Sequence, residues 1–331
     1  MIAAEPGQAG QGKRALLTGG GGFVGQWMAA ALLERGWEVH SAGLVTPRAG
    51  FILSAGQHAA VQWHRADVTQ VAEVRSAVES SRPDAIVHLA GISFVPAAAE
   101  SPAKAFDVNV GGAAHLLAEV VRLRNAGVID PTVLVVGSAE QYGAHPDGDL
   151  PLTEQHEQRP LTVYAASKAA QEIAALQAWR GEGVKVICTR SFNHSGKGHD
   201  QHFLAPALVT RALALRGEHH PRLRIGNGDT IRDYLHVADV VDAYLGLLER
   251  GTPGEAYNVC SGVGTTVREL CERVLQRVGV TAEIIVHPDL VRAVEVHALV
   301  GSAAKLHAAT GWTPRRSRDD IIDDLIHAAT H

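Results

Sequence analysis

Thr18-Gly19-Gly20-Gly21-Gly22-Phe23-Val24-Gly25 follows the short apolar run Arg14-Ala-Leu-Leu-Thr18 and opens a segment, Phe23 to Glu34, with apolar residues at helical spacing. Strand, glycine turn and helix in that order are the setting in which a helix N-terminus meets the pyrophosphate of a dinucleotide. Gly19, Gly22 and Gly25 permit the tight turn, the approach of backbone to phosphate and the close packing of the helix; Phe23 and Val24 stand between them. The alternation continues outward from this turn. Glu38 to Ala42, Val61 to Arg65, Ala85 to His88, Thr132 to Val136 and Val184 to Arg190 read as strands, with helices near Val71 to Glu79, Ala103 to Arg124 and from about Tyr164. Short apolar strands alternating with helices predict an α/β fold, a doubly wound parallel (Rossmann) sheet covered on both faces.

After Arg190 the alternation loosens. The stretch from Asn193 to Arg222 carries Gly, His and Pro clusters around one helical segment, Leu204 to Leu215. Sheet-like text returns at Leu223 to Ile225 and Ala256 to Val259, and Thr266 to His331 reads as mostly helical with one strand at Glu283 to Val286. The expected organisation is a dinucleotide-binding domain over 13–191 and 224–259. A smaller, discontinuous C-terminal domain over 192–223 and 260–330 closes over the crevice at the strand ends, and 1–12 form a flexible tail.

Composition narrows the function. Thirty Lys and Arg against thirty-five Asp and Glu give the 331 residues a net charge of −5, which excludes a nucleic-acid binder driven by bulk charge. With 46% hydrophobic and 20% charged residues the chain can bury a large core. No window approaches a membrane span and the N-terminus lacks a leader pattern, so a soluble, cytoplasmic protein without a membrane partner is expected. Cys188, Cys260 and Cys271 form no CxxC pair, and neither His199 with His202 nor His219 with His220 has a third ligand at a metal spacing. No metal is expected.

Further along, Asp67-Val68 follows a strand at a position suited to a purine edge. Where the second strand ends, an NAD site usually offers a carboxylate to the ribose hydroxyls. Here the text is His40-Ser41-Ala42-Gly43-Leu44, without an acid, while Ser41 and Arg48 suit a 2′-phosphate. NADP(H) is therefore preferred, with NAD(H) possible. Tyr164 and Lys168, four residues apart, share a helix face, and a cation there would lower the phenol's pKa. Ser138, at the end of the preceding strand, adds a hydroxyl, so that Ser138, Tyr164 and Lys168 can bind and protonate a carbonyl oxygen.

With these residues in order, the chain resembles the extended short-chain dehydrogenases/reductases of the nucleotide-sugar epimerase/dehydratase group. The resemblance runs from about Arg14 almost to the C-terminus and includes the glycine fingerprint, Asp67-Val68, His88-Leu89-Ala90-Gly91, Asn109-Val-Gly-Gly112, Ser138, Tyr164 and Lys168. It implies that Leu89, Ala90 and Gly91 border the cofactor and that Asn109 is either structural or part of a proton relay. Within the group the chain is most similar to the GDP-4-dehydro-6-deoxy-mannose reductases, with the GDP-mannose 4,6-dehydratases close behind. From that likeness, Asn193 and Arg232 meet the diphosphate of a sugar nucleotide. Arg292-Ala293-Val294-Glu295 resembles the element of GDP-sugar enzymes in which Arg pairs with diphosphate and Glu holds ribose hydroxyls, Ala293 replacing the usual proline and Lys197 standing where a proline or Gly-rich turn is common.

The implied activity is NAD(P)H-dependent reduction of the C4 ketone of a GDP-4-keto-6-deoxyhexose. Glu140, two residues beyond Ser138, occupies the position where a 4,6-dehydratase keeps its base, so a dehydratase or epimerase with a recycled cofactor is the second reading. A catalytically silent nucleotide sensor is a third, and the complete Ser138, Tyr164, Lys168 set argues against it. The family implies a homodimer through paired helices, here Ala103 to Arg124 and Tyr164 to Gly181.

Overall fold

The structure, a computed structural model, describes residues 12–291 and 295–330. Of the tail expected over 1–12, all but Gly12 lies outside the described residues. The first half runs β1 (Arg14–Thr18), α1 (Phe23–Glu34), β2 (Glu38–Gly43), α2 (Ala55–Ala60), β3 (Gln62–Arg65), α3 (Val71–Ser81), β4 (Ala85–His88), α4 (Val95–Glu100), α5 (Pro102–Phe106), α6 (Gly112–Asn125), β5 (Thr132–Ser138), α7 (Val163–Glu182) and β6 (Lys185–Ser191). The second half runs β7 (Asn193–Ser195), α8 (Leu204–Ala214), β8 (Arg222–Ile225), β9 (Ile231–His236), α9 (Val237–Arg250), β10 (Ala256–Val259), β11 (Gly264–Thr266), α10 (Val267–Val278), β12 (Glu283–Val286), β13 (Ala298–Leu299), α11 (Ala304–Thr310) and α12 (Arg318–Thr330).

Seven strands form one parallel sheet in the order β10-β6-β5-β4-β1-β2-β3. This is the doubly wound Rossmann sheet. Successive residues of each strand alternate between its faces. Ala15, Leu17, Val87 and Leu134 pack beneath α1 and α9 with Met28, Leu32, Val240 and Tyr244. Leu16, Ile86, Val133 and Val135 pack beneath α3, α6 and α7 with Val74, Val78, Leu116 and Val120. Each fully buried Leu, Ile, Val or Met among them contributes ~1.5–3 kcal/mol. The reversal of strand order between β1 and β4 opens a crevice at the carboxyl ends of the strands, where this fold binds its ligands.

The remaining strands lie outside the large sheet. β9 pairs with β11, β13 and β7, β12 pairs with β8, and α8, α10 and α12 enclose a separate core around Leu208, Val274 and Ile322. The segment 224–236, expected with the dinucleotide-binding half, thus pairs with these smaller sheets, and the chain rejoins the large sheet through α9 and β10. The helix expected from Ala103 to Arg124 is interrupted by a π-helical turn at Asp107–Gly111, a distortion that often marks a functional position. Among the described residues no helix is long and apolar enough to cross a membrane.

One buried polar network ties the end of β5 to α7 and β6. Gln141 Oε1 accepts from the Ser138 N–H at 2.7 Å, and Gln141 Nε2 donates to Glu172 at 2.8 Å. Arg190 grips the same carboxylate through Nε (3.1 Å) and Nη2 (2.7 Å), and its Nη1 donates to the Tyr142 hydroxyl at 3.0 Å. Both ion-pair side chains are below one-tenth exposed. Breaking such a pair strands a charge, so Glu172→Ala should lower the unfolding free energy by about 3–5 kcal/mol in urea titration, and Glu172→Gln, which keeps the shape and an acceptor, by less.

Candidate active site

A cleft of about 1970 Å³ opens at the carboxyl ends of β1, β4, β5 and β6 and continues to α8 and β9. Pockets for one small ligand span roughly 300–1,000 Å³, so this one has room for two in line. Its first part is the glycine turn. Gly19 has φ +72°, and a Cβ there would stand 2.7 Å from the Ala90 backbone nitrogen. A Cβ on Gly25 would stand 2.5 Å from the Gly20 Cα, which is how closely α1 folds back on the turn. α1 starts at Gly22 without a side-chain cap and without an acid in its first turn. Its leading N–H groups and positive dipole end are left for an anion. The arrangement fits a dinucleotide.

Gly22, Phe23, Val24, Gly25, Asp67, Val68, Leu89, Ala90 and Gly91 line this part together with Gly19. Asp67 accepts from the Thr69 N–H and hydroxyl, which holds its carboxyl below the usual range. Ser41 and Arg48 are placed differently from the expectation. Ser41 is 2% exposed, packed beneath Gly20, and Arg48 lies on the exposed loop beyond β2. Neither lines the cleft; Gly43, Leu44 and Val45 border it instead. A strand's alternation explains this, because Ser41 points to the face that the glycine turn covers.

The second part holds Ser138, Glu140, Tyr164 and Lys168, all on the cleft wall. Ser138 closes β5, and Thr162 caps α7 by accepting from the Ala165 N–H at 3.1 Å, which fixes where Tyr164 leaves the helix. Desolvation pushes the Tyr164 phenol up to about 12, a hydrogen bond with Ser138 working against it and Glu140 adding to it. Lys168 was expected to lower that phenol; here its ammonium donates to Gln171 at 2.6 Å, and burial pulls its own pKa down to about 8. His88, fully buried and bonded to the Thr18 hydroxyl at 2.7 Å, is kept neutral: burial, helped by the Lys168 charge, takes it to about 3. Asn109 is buried away from the cleft. Its amide bonds both the N–H and the C=O of Ile92 and donates to Ser167 at 2.8 Å, so it anchors the Gly91–Ile92 loop and joins it to α7.

Asn193, Arg232 and Glu295 line the third part, with His194 beside them; Arg292 lies outside the described residues. The segment after Asn193 folds back over the glycine turn. His199 is stacked between Phe23 (4.6 Å) and Phe203 (4.4 Å), and Lys197 meets Trp27 through its carbonyl and Asp324 through its N–H. Proline, common there in the family, would lack that N–H. Three residues that the sequence did not single out also face the cleft: Arg211, Asn227 and Thr230. The spacing Leu204, Ala207, Arg211 along α8 carried the signal for the first, since all three fall on one helix face and all line the cleft. Among the described residues, no three His, Cys, Asp or Glu side chains group as metal ligands.

Comparison with known proteins agrees with this geometry. The GDP-mannose 4,6 dehydratase family matches residues 16–325. GDP-6-deoxy-D-mannose reductase of Pseudomonas aeruginosa is 39% identical over 233 residues, 70% of this chain and 75% of that protein. Among solved structures, RMD from Pseudomonas aeruginosa complexed with NADPH superposes with a TM-score of 0.80 at 31% identity, over 96% of this chain and 99% of the other. Thermus thermophilus UDP-glucose 4-epimerase in complex with NAD superposes with a TM-score of 0.82 at 28% identity, over 96% and 98%. With a family match across nearly its whole length and a relative of this identity, the chain belongs to the GDP-mannose 4,6-dehydratase family, nucleotide-sugar enzymes of the extended short-chain dehydrogenase/reductase type.

Proposed function

We propose that the protein is an NADPH-preferring reductase that converts the C4 ketone of a GDP-4-keto-6-deoxyhexose into the alcohol of a GDP-6-deoxyhexose. What supports this reading is that Ser138, Tyr164 and Lys168 line one continuous cleft with the glycine turn and with Asn193, Arg232 and Glu295. Likeness to a reductase at 39% identity over 70% of the chain, against 26% and 29% over 95% for GDP-mannose 4,6-dehydratases of Sordaria araneosa and Arabidopsis thaliana, supports reduction over dehydration. The absence of an acid at the end of β2, where an NAD site usually offers a carboxylate to the ribose hydroxyls, supports the phosphorylated cofactor.

The dinucleotide, when bound, supplies the hydride; the chain's own residues orient the ketone and move the proton. Ser138 donates a hydrogen bond to the C4 oxygen. Tyr164 gives that oxygen its proton, and a phenol with a pKa near 12 is fully protonated at neutral pH, the form that reduction needs. Lys168 leaves Gln171 to hold the nicotinamide ribose, which brings its charge to the phenol in the loaded enzyme. Asn193 and Arg232 hold the diphosphate and Glu295 the ribose, with Arg292 as a further phosphate ligand. Glu140 hydrogen-bonds a sugar hydroxyl. The enzyme works in the cytoplasm as a homodimer through α6 and α7, whose Ile173 and Trp179 stand exposed on α7.

Tyr164→Phe should lower turnover by about 10²-fold or more while leaving NADPH binding nearly intact, as judged by steady-state rates and fluorescence titration. Lys168 binds cofactor in its charged form, and burial sets the pKa of the free enzyme near 8. Below that pH the affinity for NADPH should be flat; above it binding takes up one proton and weakens by up to roughly tenfold per pH unit. Lys168→Met should abolish that slope. With the 4-keto sugar supplied, NADPH consumed should equal product formed, and GDP-mannose should lose no water. Dehydration of GDP-mannose without net cofactor change would instead make Glu140 the base of a dehydratase.

A further inference from the structure

Among the cations on the cleft, Arg211 is in an unusual position. It projects from the C-terminal half of α8, half-buried, and its Nε donates to the Ala207 carbonyl at 3.1 Å while Nη1 donates to the Arg224 carbonyl at 2.7 Å. Those two bonds fix the plane of the guanidinium and leave Nη2, with the second proton of Nη1, as a free fork. Among the described residues no carboxylate forms an ion pair with it; burial holds its pKa below the ordinary range, with only the Cys271 thiol opposing. A half-buried charge without a counter-charge calls for a polar ligand.

A second observation marks the same end of the cleft. Thr230 is 2% exposed and lines the cleft, and among the described residues its Oγ1 has no hydrogen-bond partner. The Thr230 carbonyl accepts from the N–H of Val267, which also lines the cleft. Cys271, one turn further along α10, feels the Arg211 charge: burial raises its thiol to about 12 and Arg211 draws it back.

α8 measures how far this end lies from the chemistry. Leu204 begins the helix next to Phe203, in the aromatic stack over the glycine turn, and Arg211 is seven residues on, ~10 Å at 1.5 Å per residue. A nucleotide sugar with its hexose at Ser138 and its diphosphate at Asn193 and Arg232 extends its base toward this end. Guanine offers two adjacent acceptors, O6 and N7, to a guanidinium fork; uracil and thymine offer O4 beside an N3–H donor and have no such pair. We propose that Arg211 reads the base of the nucleotide sugar, taking the O6/N7 edge of guanine, and is a determinant of GDP over pyrimidine nucleotides.

The proposal rests on the nucleotide-sugar reading of the cleft and is separable from it by calorimetry with free diphosphates. Wild-type protein that binds GDP no better than UDP would overturn the GDP reading itself. If GDP is preferred, 7-deaza-GDP, which lacks the N7 acceptor, should bind wild type about 10-fold or more weakly than GDP. Arg211→Met, which removes both bonds, should lose at least that factor toward GDP and a smaller one toward 7-deaza-GDP, leave UDP binding unchanged, and keep wild-type NADPH affinity as a sign of an intact fold. Equal weakening of GDP and UDP would make Arg211 a phosphate ligand and overturn the assignment, as would GDP binding that the substitution leaves unchanged. The 7-deaza comparison needs no variant, so wild-type protein that binds both purines equally well also refutes it.

Discussion

Everything in the catalytic half depends on how closely two backbones approach at the reversal of strand order. Gly19 sits so near Ala90 that a single methyl group would displace one of them. Because β1 and β4 are neighbours in register, with Thr18 opposite His88, the loops that leave them run side by side and together floor the cleft. A turn with side chains would push these loops apart, tilt α1 and carry its uncapped N-terminus away from the phosphate position. Four glycines in succession are the covalent solution to that steric demand, at the cost of backbone entropy that the surrounding core must offset.

Burial sets the electrostatics of the site more than charge pairing does. Tyr164, Lys168 and His88 all shift toward their neutral forms, because the α7 face of the sheet is dry and its hydrogen bonds come from neutral partners: Ser138, Gln171 and Thr18. The charged pair, Glu172 with Arg190, lies one turn beyond Lys168 and is bonded on all sides. Polarity that must respond to a ligand is thus separated from polarity that holds the frame, although α7 carries both.

Much of this was legible in the sequence, for definable reasons. β1, β4 and α1 appear at their observed limits because short continuous apolar runs, the mark of strands buried on both faces, and the 3.6-residue spacing of α1 are cut off by polar residues and glycines. The chemistry on α7 was legible because four-residue spacing is geometry. Strand β9 was not, since Ile231 to His236 mixes Arg, Asp and His with apolar residues; its polar members are buried by specific partners, Asp233 by the Ser261 and Gly262 N–H groups, and such pairing leaves no periodic trace. Ser41 and Arg48 were assigned to the cofactor by proximity along the chain, whereas the pleat of β2 turns Ser41 beneath the glycines. The π-helical turn around Asn109 left no periodic trace either; the Asn109 side chain is held by the Ile92 backbone, seventeen residues back in the chain.

The connection between the large sheet and the smaller ones has a mechanical consequence. The chain passes from one to the other after β6, returns at α9, leaves again after β10, comes back at α11 against α9 and β10, and departs once more into α12. A lobe attached by one strand of chain can swing open like a door. A lobe laced through five crossings cannot, because a large rotation would strain every crossing at once; what remains is small sliding of packed elements, the shear type of motion. Traffic of ligands through such a cleft is then governed by the loops at its mouth, and force applied to either half is shared by the whole molecule.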